Sequence, residues 1–136
     1  MRDDSGDFIA AAAGRLTHVK DALQAETEAC VAAAEGANAL GLHRVIFESD
    51  CKTLVEAVRS RSHDLAHVGV LLKEIRSICI GSFESWRFEH VLRSGNCAAH
   101  SLSQYGLRAE IMCTGWEGEA PGFISDVVAS EIAVPL

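Results

Sequence analysis

Two acids and a histidine, Glu26, Asp50 and His100, stand in the segments of this 136-residue chain best suited to chemistry. Glu26 lies in Ala25-Glu26-Thr27-Glu28-Ala29, opening an alanine-rich helix. Asp50 closes the apolar strand Arg44-Val45-Ile46-Phe47-Glu48-Ser49. His100 lies in Asn96-Cys97-Ala98-Ala99-His100-Ser101-Leu102, at another helix start. Acids at a helix start and a strand end can converge on one point, and the end of a buried strand is a usual place for functional groups in open α/β sheets. Mg²⁺ wants hard oxygen ligands and keeps several waters, so two or more converging carboxylates suffice. Two such ions can activate water and stabilise the leaving oxygen in phosphodiester hydrolysis. Each acid also has a plainer reading. An acid early in a helix complements the dipole, and an Asp after a strand caps the next helix. Spacing alone leaves both open.

Other motifs carry less. His63-Asp64-Leu65-Ala66-His67 resembles a zinc-protease box with Asp in place of Glu. A helix beginning at Asp64 leaves His63 outside the shared face, and the segment reads as a capped helix with two surface histidines. His90 on an apolar strand face reads as a core histidine. Trp86 and Phe88 could stack on bases, although core packing explains them more simply. Gly115 to Gly122 lacks the Lys-Ser/Thr of a phosphate loop. Cys97 stands near His100 with nothing to orient the two as nucleophile and base. Arg59, Arg61, Lys73 and Arg76 form either a basic patch or ordinary solvated helix faces.

The elements that must position these groups follow from periodicity and caps. Asp3-Asp4-Ser5-Gly6 is a turn, and Phe8 to Ala13 a short strand closed by Gly14. Asp21 and Gln24 make a capping box for a helix running to about Leu40, with Gly41 as its stop. Leu23, Cys30, Val31, Ala34 and Ala37 give that helix a narrow face of small residues. Arg44 to Ser49 is a strand and Cys51 to Arg59 a short helix. Asp64 caps a further helix, with Leu65, Val68, Leu72, Ile75 and Cys79 at helical spacing and Gly81 at its end. Ser85 to Val91 alternates as a strand, and Asn96 opens a helix through about Tyr105. From Thr114 the chain is Gly-rich and then apolar. Phe123, Val127 and Val128 predict a short helix packing back on the rest. The order of strands and helices is a mixed α/β pattern.

Length and composition predict one domain over residues 1–136 with a real core: 49% of residues are hydrophobic, which excludes a disordered chain. The absence of a secretory pattern and the five scattered cysteines, with no Cys-x-x-Cys pair, predict free thiols in an intracellular protein of nucleus or cytoplasm. A net charge of −7 weighs against tight non-specific binding to nucleic acid, without forbidding a local interface.

Taken together and in order, Arg-Asp-x-x-Gly, Ala-Glu-x-x-Ala, Val-x-x-Glu-Ser-Asp, Gly-Asn-x-x-Ala-His-x-Leu and a Trp near a Pro resemble the plant, retroelement-derived branch of the type 1 ribonuclease H family. The resemblance implies an α/β fold, a ribonuclease H-like mixed sheet flanked by helices. It implies cleavage of the RNA strand of RNA–DNA hybrids with two Mg²⁺ ions. It assigns Glu26 as the helix carboxylate and Asp50 as the acid ending the family's fourth strand. His100 stands where many members have a final Asp, a form familiar in this branch. An imidazole can ligate metal or handle a proton but brings no negative charge. The family's opening central strand, with an Asp-Gly pair that bridges both metals, has no match here. Asp3 and Asp4 lie in the turn beyond it, so the resemblance implies an N-terminally truncated fold with an incomplete two-metal site. The alternative expectation is a catalytically dead, domesticated or decayed domain that only binds nucleic acid or a protein partner.

Overall fold

In the computed structural model, which describes residues 1–60, 66–109 and 112–131, the elements in chain order are β1 (Ala10–Gly14), α1 (Ala22–Ala39), β2 (Arg44–Ser49), α2 (Lys52–Ser60), α3 (Gly69–Ser82), β3 (Ser85–His90), α4 (Cys97–Arg108), β4 (Cys113–Glu117) and α5 (Gly122–Ser130). The chain divides into two compact bodies, a mid-chain body of His18–Val91 and a terminal body of Met1–Thr17 with Leu92–Leu136. The architecture is mixed α/β. Among the described residues its strands form two ladders of two, parallel β2–β3 in the mid-chain body and antiparallel β1–β4 in the terminal body.

In the mid-chain body, α1 begins as its capping pattern predicts, with the Asp21 carboxylate accepting the Gln24 amide at 2.8 Å. It ends at the tight turn on Gly41, whose φ of 68° favours glycine. Val31, Ala34 and Ala37 are buried on the predicted small face, while Leu23 and Cys30 are only half-buried. Thr27, fully buried beside them, is a residue that the apolar pattern passes over. Its hydroxyl donates to the Leu23 carbonyl at 2.6 Å, which removes the cost of burying an unpaired polar group. Parallel β2 and β3 need a long crossover, and α2 and α3 supply it. The ladder sets Phe47 opposite Phe88, their rings stacked at 4.5 Å. Around that pair close Leu54, Val55, Val58, Leu72, Ile75, Cys79 and Phe83.

Two boundaries differ from the periodicity. The predicted cap Asp64 lies outside the described residues, and α3 starts at Gly69 after a 3₁₀ turn at Ala66–Val68. At its other end α3 runs through Gly81 to Ser82. A Cβ at Gly81 would meet nothing within 4 Å, so there the glycine neither ends the helix nor makes room for a neighbour. His90 is exposed rather than a core histidine, because it closes β3.

In the terminal body, Asp3 organises the opening turn, its carboxylate accepting the amides of Ser5 and Asp7 at 2.9 Å each. β1 is shifted two residues from the predicted Phe8 start. Phe8 instead bridges Arg2, and the amides of Ile9 and Ala10 donate to the Met1 carbonyl. Its alanines pair with β4, from Ala10 opposite Glu117 to Gly14 opposite Cys113. β4 was not legible in a segment read as Gly-rich tail. The tail packs back within this body through Tyr105 of α4, Trp116 of β4 and Phe123 of α5. Tyr105 stacks on Phe123 at 4.8 Å, and Trp116 meets both rings edge-on.

Candidate functional site

Glu26 and Asp50 both belong to the mid-chain body, and His100 belongs to the terminal body. Glu26 is exposed in the second turn of α1, next to buried Thr27, which fixes the rotation of the helix. Its carboxylate is close enough to act on Cys30. Burial first, then the neighbouring Cys79 thiol and the Glu26 charge, push the Cys30 thiol up to about 12. Cys79 is raised to about 11 by burial. Neither is a nucleophile near neutral pH, and all five cysteines are free.

Asp50 is half-buried immediately after β2. Helix α2 does not start until Lys52, and the Ser49 hydroxyl accepts the Cys51 amide at 3.1 Å within the connection.

His100 lies in the first turn of α4 with its Nε2 3.1 Å from Gln104 Nε2. Arg108 donates to the Gln104 Oε1 at 3.4 Å, so the amide nitrogen of Gln104 faces the ring and His100 Nε2 is the acceptor. Asn96 makes no side-chain cap bond to α4. The helix is capped from 34 residues away: Glu131 Oε1 accepts the Cys97 amide at 2.7 Å and the Ala98 amide at 3.2 Å. Its other oxygen meets Arg2 at 3.4 Å. No sequence signal pointed to Glu131, because a cap supplied from another element has no fixed spacing. Glu131→Ala should cost the terminal body about 1–3 kcal/mol, since two amides lose a charged acceptor and Arg2 loses one carboxylate contact. Urea denaturation followed by Trp116 fluorescence checks this, with Glu131→Gln expected to lose less.

Two members of the possible basic patch serve as braces. Arg59 donates to the Phe88 carbonyl at 2.8 Å and pairs with Glu89 at 2.9 Å. Arg76 donates to the Ala57 carbonyl at 2.7 Å. Arg61 and His63 lie outside the described residues. His67 is exposed, as a surface histidine should be, and it also pairs with Asp21, Nε2 to Oδ2 at 2.9 Å, which makes a contact between elements. Among the described residues no three or more His, Cys, Asp or Glu side chains gather around one point. The same residues include no helix long and apolar enough to cross a membrane.

The fold is that of ribonuclease H. The structure matches that of RNase H1 from the halophilic archaeon Halobacterium salinarum NRC-1 with a TM-score of 0.58 and 22% identity, covering 62% of this chain and 64% of that one. The chain thus spans just under two thirds of the length of that protein, and at this identity the likeness is one of fold. A family model described as reverse transcriptase-like matches residues 1–106, and the chain belongs to that family. No curated protein matches the sequence.

Proposed function

We propose that this chain is a nucleic-acid-binding domain of the ribonuclease H kind, from a plant retroelement-derived branch, that takes RNA–DNA hybrids and hydrolyses the RNA strand with a divalent metal. The observation that carries this reading is the family match over residues 1–106, a span that includes Glu26, Asp50 and His100. Chain geometry supports it. From Ala39, Glu26 lies about 20 Å back along α1 at 1.5 Å per residue. From Arg44, Asp50 lies about 20 Å forward along β2 at 3.3 Å per residue. A chain that doubles back at Gly41 therefore sets both acids at one level.

Mg²⁺, when bound, would polarise a phosphodiester oxygen and lower the pKa of a bound water. Glu26 and Asp50 are the residues that would hold it. Their hard carboxylate oxygens fit one ion that keeps its waters, whereas a two-ion centre needs more acids than these two. The test is cleavage of a labelled RNA–DNA hybrid with Mg²⁺ or Mn²⁺. Asp50→Asn should lower the rate at least about tenfold, the loss of roughly 1.4 kcal/mol of transition-state stabilisation.

One observation favours a second reading, a non-catalytic domain that binds nucleic acid or a protein partner. His100 Nε2 already accepts from Gln104, and a lone pair used in this way is not offered to a metal. Absence of cleavage above the Asp50→Asn control, with hybrid binding that weakens steeply with salt, would favour that reading.

A further inference from the structure

The His67–Asp21 contact joins the start of α1 to the 3₁₀ turn leading into α3, and neither residue belongs to the site described above. Asp21 is used twice. One carboxylate oxygen accepts the Gln24 amide at 2.8 Å, and the other meets His67 Nε2 at 2.9 Å. A carboxylate only accepts, so Nε2 carries the proton in this contact whatever the charge on the ring. The backbone that carries the ring is anchored, because Val68, the next residue, is fully buried in the core. On the other side of the cap the bonding continues up the helix. Gln24 Oε1 accepts the Lys20 amide at 3.0 Å, and Gln24 Nε2 donates to Glu28 at 2.8 Å. The first two turns of α1, which carry Glu26, are thus tied internally by Asp21 and Gln24 and externally by His67.

We propose that His67 is a positioning residue that fixes the start of α1 against the α3 turn and through it the carboxylate of Glu26. Its link to metal binding rests on the function proposed above; its link to the helix start does not. The cap holds the first turn to its own helix, Leu23 rests against the core, and the His67 contact adds a polar tie from that turn to another element. A frayed first turn spreads the directions available to Glu26 and weakens any metal it holds.

The experiment compares the wild-type 136-residue chain with His67→Ala and His67→Gln, the latter keeping an amide nitrogen close to the place of Nε2. Amide hydrogen exchange is read at Ala25, Glu26 and Thr27, with Ile75 and Phe88 as core references, and Mn²⁺ binding is titrated calorimetrically. His67→Ala should speed exchange at the three α1 amides and weaken Mn²⁺ about two- to fivefold, the range that a partly exposed pair supports. The references should stay unchanged, and His67→Gln should restore both readouts. Unchanged α1 exchange in His67→Ala overturns the proposal, as does an equal rise at Ile75 and Phe88, which would mark general packing. Failure of the wild type to bind Mn²⁺ would sink the metal reading and the Glu26 half of this proposal, while exchange would still decide the helix start.

Discussion

Phe47→Ala should destabilise the mid-chain body by about 3–5 kcal/mol, the range for deleting a buried aromatic ring. The ring is buried at the centre of β2, directly opposite Phe88 in the parallel ladder. It stacks on Phe88 at 4.5 Å with an interplanar angle of 8° and meets Phe83 at 6.2 Å. Truncation loses apolar burial, leaves a cavity within this cluster, and forfeits an aromatic pair worth about 0.5–1.5 kcal/mol beyond its area. Trp86, edge-on to Phe88 at 6.0 Å, reports the loss by fluorescence in a Trp116→Phe background. A fall in the thermal midpoint of more than about 10 °C is expected for a body of this size. Phe47→Leu, which keeps most of the volume, should lose less than half as much. A shift of only a degree or two for Phe47→Ala would mean that this cluster is not the centre of the core.

The second large effect is expected at the crossing of α4 over β1. Gly106 is buried, and a Cβ there would stand 2.5 Å from the Gly14 carbonyl oxygen and 3.0 Å from its carbon and nitrogen. A Cβ on Gly14 would in turn run into the Met112 carbonyl oxygen. The obstructing atoms are all backbone, so no side chain can rotate away, and α4 must lift from the ladder. Gly106→Ala should therefore cost at the upper end of the about 1–3 kcal/mol seen for overpacking, and Gly106→Val more. The sign opposes the usual helix preference, in which Ala gains about 0.5–1 kcal/mol over Gly. Gly81→Ala supplies the contrast. That glycine is also helical, with nothing within 4 Å of its added Cβ, and its replacement should stabilise the mid-chain body. Urea denaturation of the two variants, followed through Trp116 and Trp86 respectively, should give shifts of opposite sign.

The candidate acids were legible because their positions depend on local pattern. A capping box starts the helix of Glu26, and a run of β-branched and aromatic residues ends at Asp50. The features missed by pattern have their causes elsewhere in the chain. Glu131 caps a helix that begins 34 residues earlier. His67 is the surface histidine that the pattern predicts, but its pairing with Asp21 was not legible because α1 brings that partner from 46 residues earlier. Thr27 looks polar along the sequence, and it is buried because other elements cover that face of α1, its hydroxyl being satisfied by the Leu23 carbonyl one turn back. Arg59, exposed as a solvated cation should be, and Arg76 also hold main-chain carbonyls of β3 and α2.

By itself the sequence determined where α1, β2, α2 and β3 lie, the small-residue face of α1, the turn at Asp3 and the short helix after Pro121. Periodicity and caps act over three or four residues, and no distant partner is needed to settle them. Only the tertiary structure decided that Cys113–Glu117 is a strand, since a segment centred on glycine pairs when alanine-rich β1 offers it a ladder. It also decided that α3 runs through Gly81 and that Gly106 has no room for a methyl group. The β1–β4 ladder and the closed space at Gly106 depend on which backbones approach each other across the fold, a quantity that residue spacing along one chain does not carry.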